Sequence, residues 1–295
     1  MGARILDGKS IAADLRAEIA AAVAAMKAAT GRVPGLAVVL VGDDPASRSY
    51  VTGKGKACAA AGIYSRQIDL PASASRADIL GVVRSLNADE AIDGILVQFP
   101  LPDSSIEREI IEAIDPAKDV DGLHPINVGR MVQGLPSFVP CTPHGVMEML
   151  RRAGISLAGA AVAILGRSQL VGRPLSILMS QKGADATVTL CHTRTKDLAR
   201  FTRAADIVVV AAGRPRVLTA DMVRSGVVVI DVGVNRVPDP TKAAGYRLVG
   251  DVDFAAVAEK AAAITPVPGG VGPLTIAMLL KNTLEAARRR RGAGA

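Results

Sequence analysis

Aromatic residues are scarce in this sequence, and their scarcity narrows the classes of ligand that the chain can bind. The 295 residues include no tryptophan, three tyrosines and four phenylalanines, so aromatic residues make up 2% of the chain. Proteins that bind single-stranded nucleic acid stack bases on aromatic side chains, and this chain has few to offer. The net charge of +7, much of it in Arg288–Arg291, therefore favours attraction of small anions over nucleic-acid binding.

Cysteines and long apolar runs are also few. Cys58, Cys141 and Cys191 are odd in number, far apart and in no CxxC pair, which is typical of unpaired thiols in a reducing cytoplasm. No run of about 18 uncharged apolar residues is present, and Arg4 and Asp7 precede any apolar stretch at the N-terminus. We therefore expect a cytoplasmic protein without a membrane span or a secretory signal.

The sequence does contain a regular alternation of short valine-rich runs with helical patterns. Strands are predicted at Leu36–Val41, Tyr64–Leu70, Gly94–Phe99, Ala161–Leu165, Thr187–Cys191, Ile207–Ala211, Val227–Val232 and Ala263–Val267. Helices are predicted among them at Ser10–Ala29, Ser75–Leu86, Ile106–Ile114 and Leu170–Lys182. The alternation predicts an α/β fold with parallel sheets covered on both faces, and the length allows two domains.

One long segment interrupts this alternation. Between Asp115 and Thr142 the chain reads PAKDVDGLHPINVGRMVQGLPSFVPC, and this segment divides three βα units from a longer second set. A loop of this length inside a compact domain is usually functional.

A glycine-rich turn follows the predicted strand Ala161–Leu165. The stretch AVAILGRSQLVGRP has the order strand, tight turn and helix start that makes a phosphate cradle, because the first N–H groups of a helix point outward. Its spacing is not GxGxxG, since Ser168 stands where the second glycine would be and Gly172 comes one residue late. The context nevertheless predicts a dinucleotide site of modified type.

The end of the next strand indicates which dinucleotide is bound. NAD-specific domains carry an acidic residue here, about 20 residues after the glycines, to hold the ribose hydroxyls. This chain has His192, Thr193 and Arg194 instead, with Arg167 in the turn, and these groups suit a 2′-phosphate. We therefore predict NADP rather than NAD. The alternative is that Arg167 and Arg194 are solvated surface residues.

The stretch SRSYVTGKGKAC places Tyr50 and Lys54 one turn apart at the start of a predicted helix. Their projections differ by roughly 40°, so they share a face, whereas Lys56 points to the opposite side and into solvent. Two other polar features accompany them: Gln98 ends an apolar strand, and the KDVDG stretch places two carboxylates, Asp119 and Asp121, in the long loop. Together they predict a polar pocket at one edge of a small sheet, although an exposed lysine beside a half-buried tyrosine is the simpler alternative.

The segment PVPGGVGPLT near the C-terminus is rich in glycine and proline. Pro273 suits the first turn of a final helix, and the glycines before it permit close approach of the backbone to a ligand. An ordinary turn is the alternative interpretation.

These stretches together resemble the bacterial type of the bifunctional methylenetetrahydrofolate dehydrogenase/methenyltetrahydrofolate cyclohydrolase family. The matching segments occur in order from Tyr50 to Thr283 and cover nearly the whole chain. They are SYVTGKGKAC, DGILVQFPLP, KDVDGLHPINVGR, FVPCTPHGVMEML, GRSQLVGRPLSILM, TVTLCHTRT, ADIVVVAAGRP, VIDVGVNR, GDVDF and TPVPGGVGPLTIAMLLKNT.

The resemblance implies a two-domain α/β protein: an N-terminal three-layer α/β catalytic domain, a Rossmann-like NADP-binding domain and a C-terminal helix that returns to the first domain. We place the folate-binding catalytic domain at residues 1–142 and 274–295, and the NADP-binding domain at residues 143–273. The implied activity is oxidation of 5,10-methylenetetrahydrofolate with NADP and hydrolysis of the methenyl product to 10-formyltetrahydrofolate. A homodimer acting on tetrahydrofolate derivatives is likewise implied.

The resemblance also implies roles for individual residues. Tyr50 supplies a ring that stacks on the pterin–aminobenzoate region, Lys54 is catalytic with Gln98 as its partner, and Asp121 holds the pterin. Pro268 and the glycines that follow it, Gly272 among them, line the junction of folate and nicotinamide. The implied cofactor contacts are Gly166, Arg167, Ser168, Thr193 and Val234, and no metal is implied.

Three other functions remain compatible with the sequence. A monofunctional dehydrogenase of the same fold lacks the hydrolytic step and accumulates the methenyl product. A dehydrogenase for small acids or amino acids also uses a doubly wound domain but has no use for Asp121 in a VDG loop. A nucleic-acid-binding protein predicts retention that depends steeply on salt.

Overall fold

The structure, a computed structural model, describes residues 2–242 and 245–291, and for Arg291 the backbone alone. The chain forms two compact units. The six-stranded unit contains the residues up to Ala12 together with Thr142–Thr275. The three-stranded unit contains Ala13–Cys141 together with the chain from Ile276 onward.

Helices and strands alternate along the chain as the sequence predicts. In chain order the elements are β1 (Arg4–Ile5), α1 (Gly8–Thr30), β2 (Gly35–Val41), α2 (Pro45–Ala61), β3 (Tyr64–Leu70), α3 (Arg76–Ala88), β4 (Gly94–Val97), α4 (Glu107–Ala113), α5 (Pro125–Val132), α6 (Cys141–Arg152), β5 (Ala161–Leu165), α7 (Gly172–Ser180), β6 (Thr187–Cys191), α8 (Leu198–Ala204), β7 (Ile207–Val210), β8 (Val228–Asp231), β9 (Asn235–Pro238), β10 (Tyr246–Val249), α9 (Phe254–Ala258), β11 (Ala263–Ile264) and α10 (Gly272–Arg291). Short 3-10 helices lie at Ser104–Ile106 and Ala220–Met222.

The three-stranded unit is built on a parallel sheet in the order β3-β2-β4. All seven residues of the central strand β2 are buried, which explains its continuous apolar sequence GLAVVLV, since a strand covered on both faces does not alternate. Part of the apolar core packs α3 and α4 against the sheet, with Ile79, Val83, Leu86, Ile95 and Ile110 fully or almost fully buried. From Ile276 onward α10 belongs to this unit, so the predicted return of the C-terminal helix is confirmed.

The six-stranded unit has a parallel sheet in the order β1-β11-β8-β7-β5-β6. The chain runs from β5 outward to β6 and then returns to the other side of β5 with β7, so the winding direction reverses between β5 and β7. In doubly wound sheets such a reversal opens a crevice at the carboxyl ends of the strands, where ligands bind. The predicted Rossmann-like domain is therefore present.

The structure differs from the sequence-based prediction at the N-terminus. Residues 1–142 were assigned to the first domain, but Arg4 and Ile5 pair with Ala263 and Ile264 in the six-stranded sheet. A two-residue strand carries no periodic pattern, so its partner is set by contacts with residues far away in the sequence.

A hairpin and a helix lie where the sequence predicted no element. The antiparallel hairpin of β9 and β10 is paired outside the parallel sheets, and its residues are all exposed or half-buried. The long segment between Asp115 and Thr142 contains helix α5, which begins at Pro125 after His124 as its N-cap. Among the helices of residues 2–242 and 245–291, none combines the length and the apolar character that crossing a membrane requires.

Candidate active site

Helix α2 presents Lys54 on its buried face. The helix begins after Asp44, whose side chain accepts a hydrogen bond from the N–H of Ser47 at 2.8 Å, and it ends at Gly62 in the left-handed conformation. Its buried residues recur every three or four positions: Ser47, Val51, Lys54, Cys58 and Ala61. A lysine therefore occupies a position of the core stripe at 7% exposure, while Lys56 is exposed as predicted.

Gln98 is the hydrogen-bond partner of Lys54. Lys54 Nζ lies 2.7 Å from Gln98 Oε1, and Gln98 Nε2 donates to the carbonyl of Phe99 at 2.7 Å. Because the amide nitrogen is already used by that carbonyl, the amide oxygen is oriented toward the amine. Gln98 directly follows β4, and its own N–H donates to the carbonyl of Val39 on the neighbouring strand β2, which fixes its position.

Asp121 and Cys141 complete the surroundings of the amine. Burial lowers the pKa of Lys54, and the charge of Asp121 offsets part of that shift. Burial likewise raises the pKa of Asp121, and the charge of Lys54 offsets part of that shift in turn. The Cys141 thiol faces the Asp121 carboxylate, lies 3.5 Å from the carbonyl of Val120, and has its pKa raised well above the ordinary value by burial.

The two carboxylates of the KDVDG stretch have different partners. Asp119 is buried and accepts hydrogen bonds from the N–H groups of Leu123 and His124 and from Asn127 Nδ2, at 3.2, 2.8 and 2.9 Å. These bonds fold the loop back on itself. Asp121 interacts instead with Lys54 and Cys141 and is the carboxylate available to a ligand.

Tyr50 lies one turn before Lys54 on α2 and is 43% exposed. The structure thus brings Lys54, Gln98 and Asp121 together and places Tyr50 on the same helix as the lysine. A buried amine held by a neutral amide and facing a carboxylate can hold, accept and release a proton.

The six-stranded unit contains a cradle at the reversal between β5 and β7. At Gly166, which follows β5, φ is +121° and a Cβ would lie 2.1 Å from the carbonyl oxygen of Ala211. At Gly172, where α7 begins, a Cβ would lie 1.9 Å from the carbonyl oxygen of Gly166. Both positions therefore require glycine, and the turn between them is held in addition by Ser168 Oγ, which accepts from the N–H of Val171 at 3.1 Å.

A cavity of about 280 Å³ opens over this turn at the ends of β5, β6 and β7. None of the described residues that line the cavity carries a carboxylate, and the polar and basic ones are Arg167, Ser168, His192, Thr193 and Arg214. The Asp251 carboxylate holds the backbone of the loop after β7, which forms one wall of the cavity, because it accepts hydrogen bonds from the N–H groups of Ala212 and Gly213 at 2.7 and 2.8 Å. A cradle of glycines with cationic walls fits the phosphates of a dinucleotide.

The remaining sequence-predicted residues lie elsewhere in the same unit. Arg194 is exposed and does not line the cavity, and Val234 is 48% exposed just before β9. Pro268 lies in the segment before α10, and Gly272 is the first residue of that helix. This segment is held by the start of α1, where the N–H of Lys9 donates to the carbonyl of Gly269 at 3.1 Å.

Sequence reasoning missed several residues around Asp121. The sequence indicates only an unpaired thiol at Cys141, and it gives no role to Lys118, the first residue of KDVDG, or to Asn282, which bonds to that loop; all three are buried. The position of Cys141 at the end of the FVPC stretch was the one available signal. Asn282 follows Asp121 by 161 residues, so no local pattern connects the two.

The fold and the two groups of residues define an α/β enzyme with a nucleotide cradle and a separate proton-transfer centre. The family model described as the catalytic domain of tetrahydrofolate dehydrogenase/cyclohydrolase matches residues 6–121. The one described as the NAD(P)-binding domain of the same family matches residues 140–291.

Similar proteins agree with these matches. "Bifunctional protein FolD" of Dehalococcoides mccartyi is 57% identical over 295 residues, which is 99% of each chain. The crystal structure of the bifunctional methylenetetrahydrofolate dehydrogenase/cyclohydrolase of Campylobacter jejuni is 47% identical, covers 97% of this chain and 99% of its own, and superposes with a TM-score of 0.92. That of the Trypanosoma brucei enzyme, complexed with NADP and an inhibitor, is 42% identical over 99% of both chains with a TM-score of 0.94.

The chain belongs to the tetrahydrofolate dehydrogenase/cyclohydrolase family and carries both of its domains. The predicted family, the two-domain α/β fold and the class of enzyme are confirmed.

Proposed function

We propose that the protein oxidises 5,10-methylenetetrahydrofolate to 5,10-methenyltetrahydrofolate with NADP and then hydrolyses that product to 10-formyltetrahydrofolate. The observation that carries this proposal is the buried Lys54 amine, held 2.7 Å from Gln98 Oε1 and facing Asp121 within the family's catalytic domain. A site built only for hydride transfer would need substrate positioning but no proton-transfer group.

Asp121 and Tyr50 hold the substrate in this proposal. The ring N–H and 2-amino group of a pterin form two parallel donors, which match the two oxygens of one carboxylate. Asp121 is the carboxylate of the KDVDG stretch that remains available for such a pair, since Asp119 is used by the loop. The exposed ring of Tyr50 offers a flat apolar surface for the pterin–aminobenzoate region.

Lys54 moves protons during hydrolysis. Oxidation leaves a cationic methenyl bridge, and burial together with this cation favours the neutral amine. The neutral amine takes a proton from the water whose oxygen bonds to the bridge carbon. It returns that proton to N5 as the bond between the bridge carbon and N5 breaks. The amine, now neutral again, takes the proton of the carbinol hydroxyl, which becomes the formyl carbonyl, and passes it to solvent, so one proton is released overall. Gln98 orients the amine without adding the charge that a glutamate would bring.

The cradle over Gly166 holds the cofactor. Bound NADP supplies the hydride acceptor. Gly166 and Ser168, which shape the turn, would hold the diphosphate, and Arg167 with Thr193 would receive the 2′-phosphate, since none of the described residues that line the cavity is a carboxylate that would repel it. The NADP complex of the Trypanosoma brucei relative supports NADP over NAD. Val234 as a further cofactor contact, and Pro268 with Gly272 as substrate contacts, remain predictions from the family resemblance.

The proposal also includes a homodimer that acts in the cytoplasm. The three cysteines are unpaired and buried, as suits a reducing compartment. Measurement of the mass in solution tests the oligomeric state.

A coupled assay with methylenetetrahydrofolate and either NADP or NAD tests the reaction. We expect reduction of NADP in preference to NAD, with the methenyl chromophore staying at a low level because it is hydrolysed as it forms. Accumulation of the chromophore with little formyl product would identify a monofunctional dehydrogenase. Absence of turnover with this substrate would exclude the folate reaction and leave a different dehydrogenase.

A further inference from the structure

Lys118 is a buried lysine that the proposed reaction does not use. It is 1% exposed, and its Nζ donates to the carbonyls of Leu86 and Asp89 at 2.8 and 2.7 Å. These carbonyls lie at the C-terminal end of α3, which has no basic residue in its own last turn. The Lys118 ammonium therefore supplies the positive group that the end of a helix favours, and it comes from the KDVDG loop.

The backbone of Lys118 is fixed as firmly as its side chain. Its carbonyl accepts from the N–H of Ile95 on β4 at 2.8 Å, and Asp119 forms a parallel bridge with Ile95. Burial lowers the pKa of Lys118, with Arg290 adding to this effect, while Asp115, Asp89 and Asp93 oppose it. The loop thus enters the site from a residue held by both α3 and β4.

Asn282 on α10 holds the same loop immediately before Asp121. Its Nδ2 donates to the carbonyl of Val120 at 2.8 Å and to the carbonyl of Val139 at 3.1 Å. Asn282 is 5% exposed, and its Nδ2 also lies 3.8 Å from Cys141 Sγ. One amide group therefore joins the segment that carries Asp121 to the segment that leads to Cys141.

We propose that Lys118 and Asn282 are positioning residues for Asp121, which hold its carboxylate at the place where it binds the pterin and faces Lys54. This inference rests on the role given to Asp121 in the proposed function. Neither side chain bonds to Asp121; each fixes the backbone on its N-terminal side, Lys118 three residues before it and Asn282 at the residue before it.

Loss of the Lys118 or the Asn282 side chain should weaken folate binding selectively, which general destabilisation of the protein would not do. A displaced Asp121 pairs poorly with the pterin, so the KM for methylenetetrahydrofolate rises by about tenfold, whereas NADP binds to residues of the other unit and keeps its affinity. Lys54 is faced by Asp121, Cys141 and Cys58, and Asp121 makes the largest contribution that raises its pKa. When Asp121 moves away, the pKa of Lys54 falls further, and the acid limb of cyclohydrolase activity shifts to lower pH.

The experiment compares Lys118→Met, Lys118→Arg and Asn282→Leu in the full-length enzyme. We measure the KM for methylenetetrahydrofolate, the Kd for NADP by fluorescence titration, the pH profile of methenyl hydrolysis and the Tm. Lys118→Met and Asn282→Leu are expected to raise the folate KM and shift the acid limb, while Lys118→Arg, which keeps the donors and the charge, restores most of both. Lys56→Met, the same change at an exposed lysine, is the matched control.

Val23→Ala serves as a stability control, since Val23 is a core residue of α1 that is 2% exposed. If Lys118→Met and Asn282→Leu raise the folate KM no more than Val23→Ala does, or if they weaken NADP binding as much as they weaken folate binding, the proposal is wrong.

Asp121→Asn separates this failure from failure of the proposed function. If Asp121→Asn leaves the folate KM unchanged, both the proposed role of Asp121 and the positioning role of Lys118 and Asn282 are wrong. If Asp121→Asn raises the folate KM while Lys118→Met and Asn282→Leu leave it unchanged, only the positioning role is wrong. If Lys118→Met does not fold, Asn282→Leu decides the outcome by itself.

Discussion

At the scale of single residues, the environment of Lys54 determines what its amine can do. An exposed lysine is protonated near neutral pH and cannot accept a proton, but Lys54 lies on the buried stripe of α2 and has its pKa lowered by desolvation. Asp121 limits this shift, and Gln98 contributes a hydrogen bond without a charge. The amine is thus able to change its protonation state during a reaction while its position stays fixed.

We predict that Lys54→Met abolishes hydrolysis of the methenyl compound and leaves the affinity for NADP unchanged. Methionine is unbranched like lysine and only one atom shorter, so it fills most of the same space, but it cannot carry a proton. Stopped-flow observation of the methenyl chromophore and titration with NADP measure the two properties. Normal hydrolysis in this variant would refute the role of Lys54, and Lys56→Met is expected to behave like the wild type.

The wild-type pH profile belongs to the same prediction. A lysine whose pKa is below its ordinary value of 10.5 becomes neutral at a lower pH than an exposed lysine does. Activity that depends on the neutral amine therefore rises with pH, and the midpoint of this rise lies below pH 10.5.

At the scale of elements, glycines in the six-stranded unit allow the close approach of two strands and a helix. The turn after β5 passes so near to Ala211 that side chains at Gly166 and Gly172 would overlap the backbone. In α3 the situation is different, because Gly81 is exposed and has no atom within 4 Å of the position of a Cβ. The same substitution should therefore have opposite effects in the two helices.

We predict that Gly172→Ala destabilises the protein by roughly 2 kcal/mol or more and weakens NADP binding, because the turn must open to accept the methyl group. Gly81→Ala is expected to stabilise it by about 1 kcal/mol, through the better helix propensity of alanine. Thermal unfolding and NADP titration check both. Equal stability of the two variants would contradict the assignment of Gly172 to a close backbone contact.

At the scale of the whole molecule, the end of the chain is part of the three-stranded unit. The family model for the NAD(P)-binding domain extends to residue 291, yet α10 from Ile276 onward packs with the unit of the catalytic domain. Arg290 reaches the carbonyl of Ile92 and the fully buried carboxylate of Asp93 at 2.8 and 2.9 Å. Arg289 pairs with the partly exposed Glu285 and lies over the ring of Phe138.

Two neighbouring arginines at the end of α10, Arg289 and Arg290, therefore allow the contributions of an exposed and a buried ion pair to stability to be compared. We predict that Arg290→Ala destabilises the protein by roughly 3 kcal/mol, because the buried carboxylate of Asp93 loses the ion pair and hydrogen bond that Arg290 supplies. Arg289→Ala should cost about 1 kcal/mol, since its partner is exposed to solvent. Urea unfolding of the two variants measures the difference, and similar midpoints would show that the pair with Asp93 contributes little.

The sequence indicated much of this architecture because its signals were local. The apolar run of β2, the strand, turn and helix start around Gly166, and the spacing of Tyr50 and Lys54 each lie within about a dozen residues. The same reasoning failed for Arg4–Ile5, whose partner strand is β11, and for the hairpin of β9 and β10, whose residues are all exposed or half-buried. A pattern predicts an element when fully buried residues recur within it, and these elements contain no fully buried residue.

From its residues alone, the chain was determined to be a parallel α/β protein with a nucleotide cradle and an unusual lysine, because periodic burial and turn chemistry are properties of neighbouring residues. Tertiary structure alone decided which carboxylate of KDVDG faces Lys54, how far that amine is buried, and that Lys118 and Asn282 hold the loop. Burial and hydrogen bonding of this kind arise between residues that are distant in the chain, so they exist only once the strands and helices have packed.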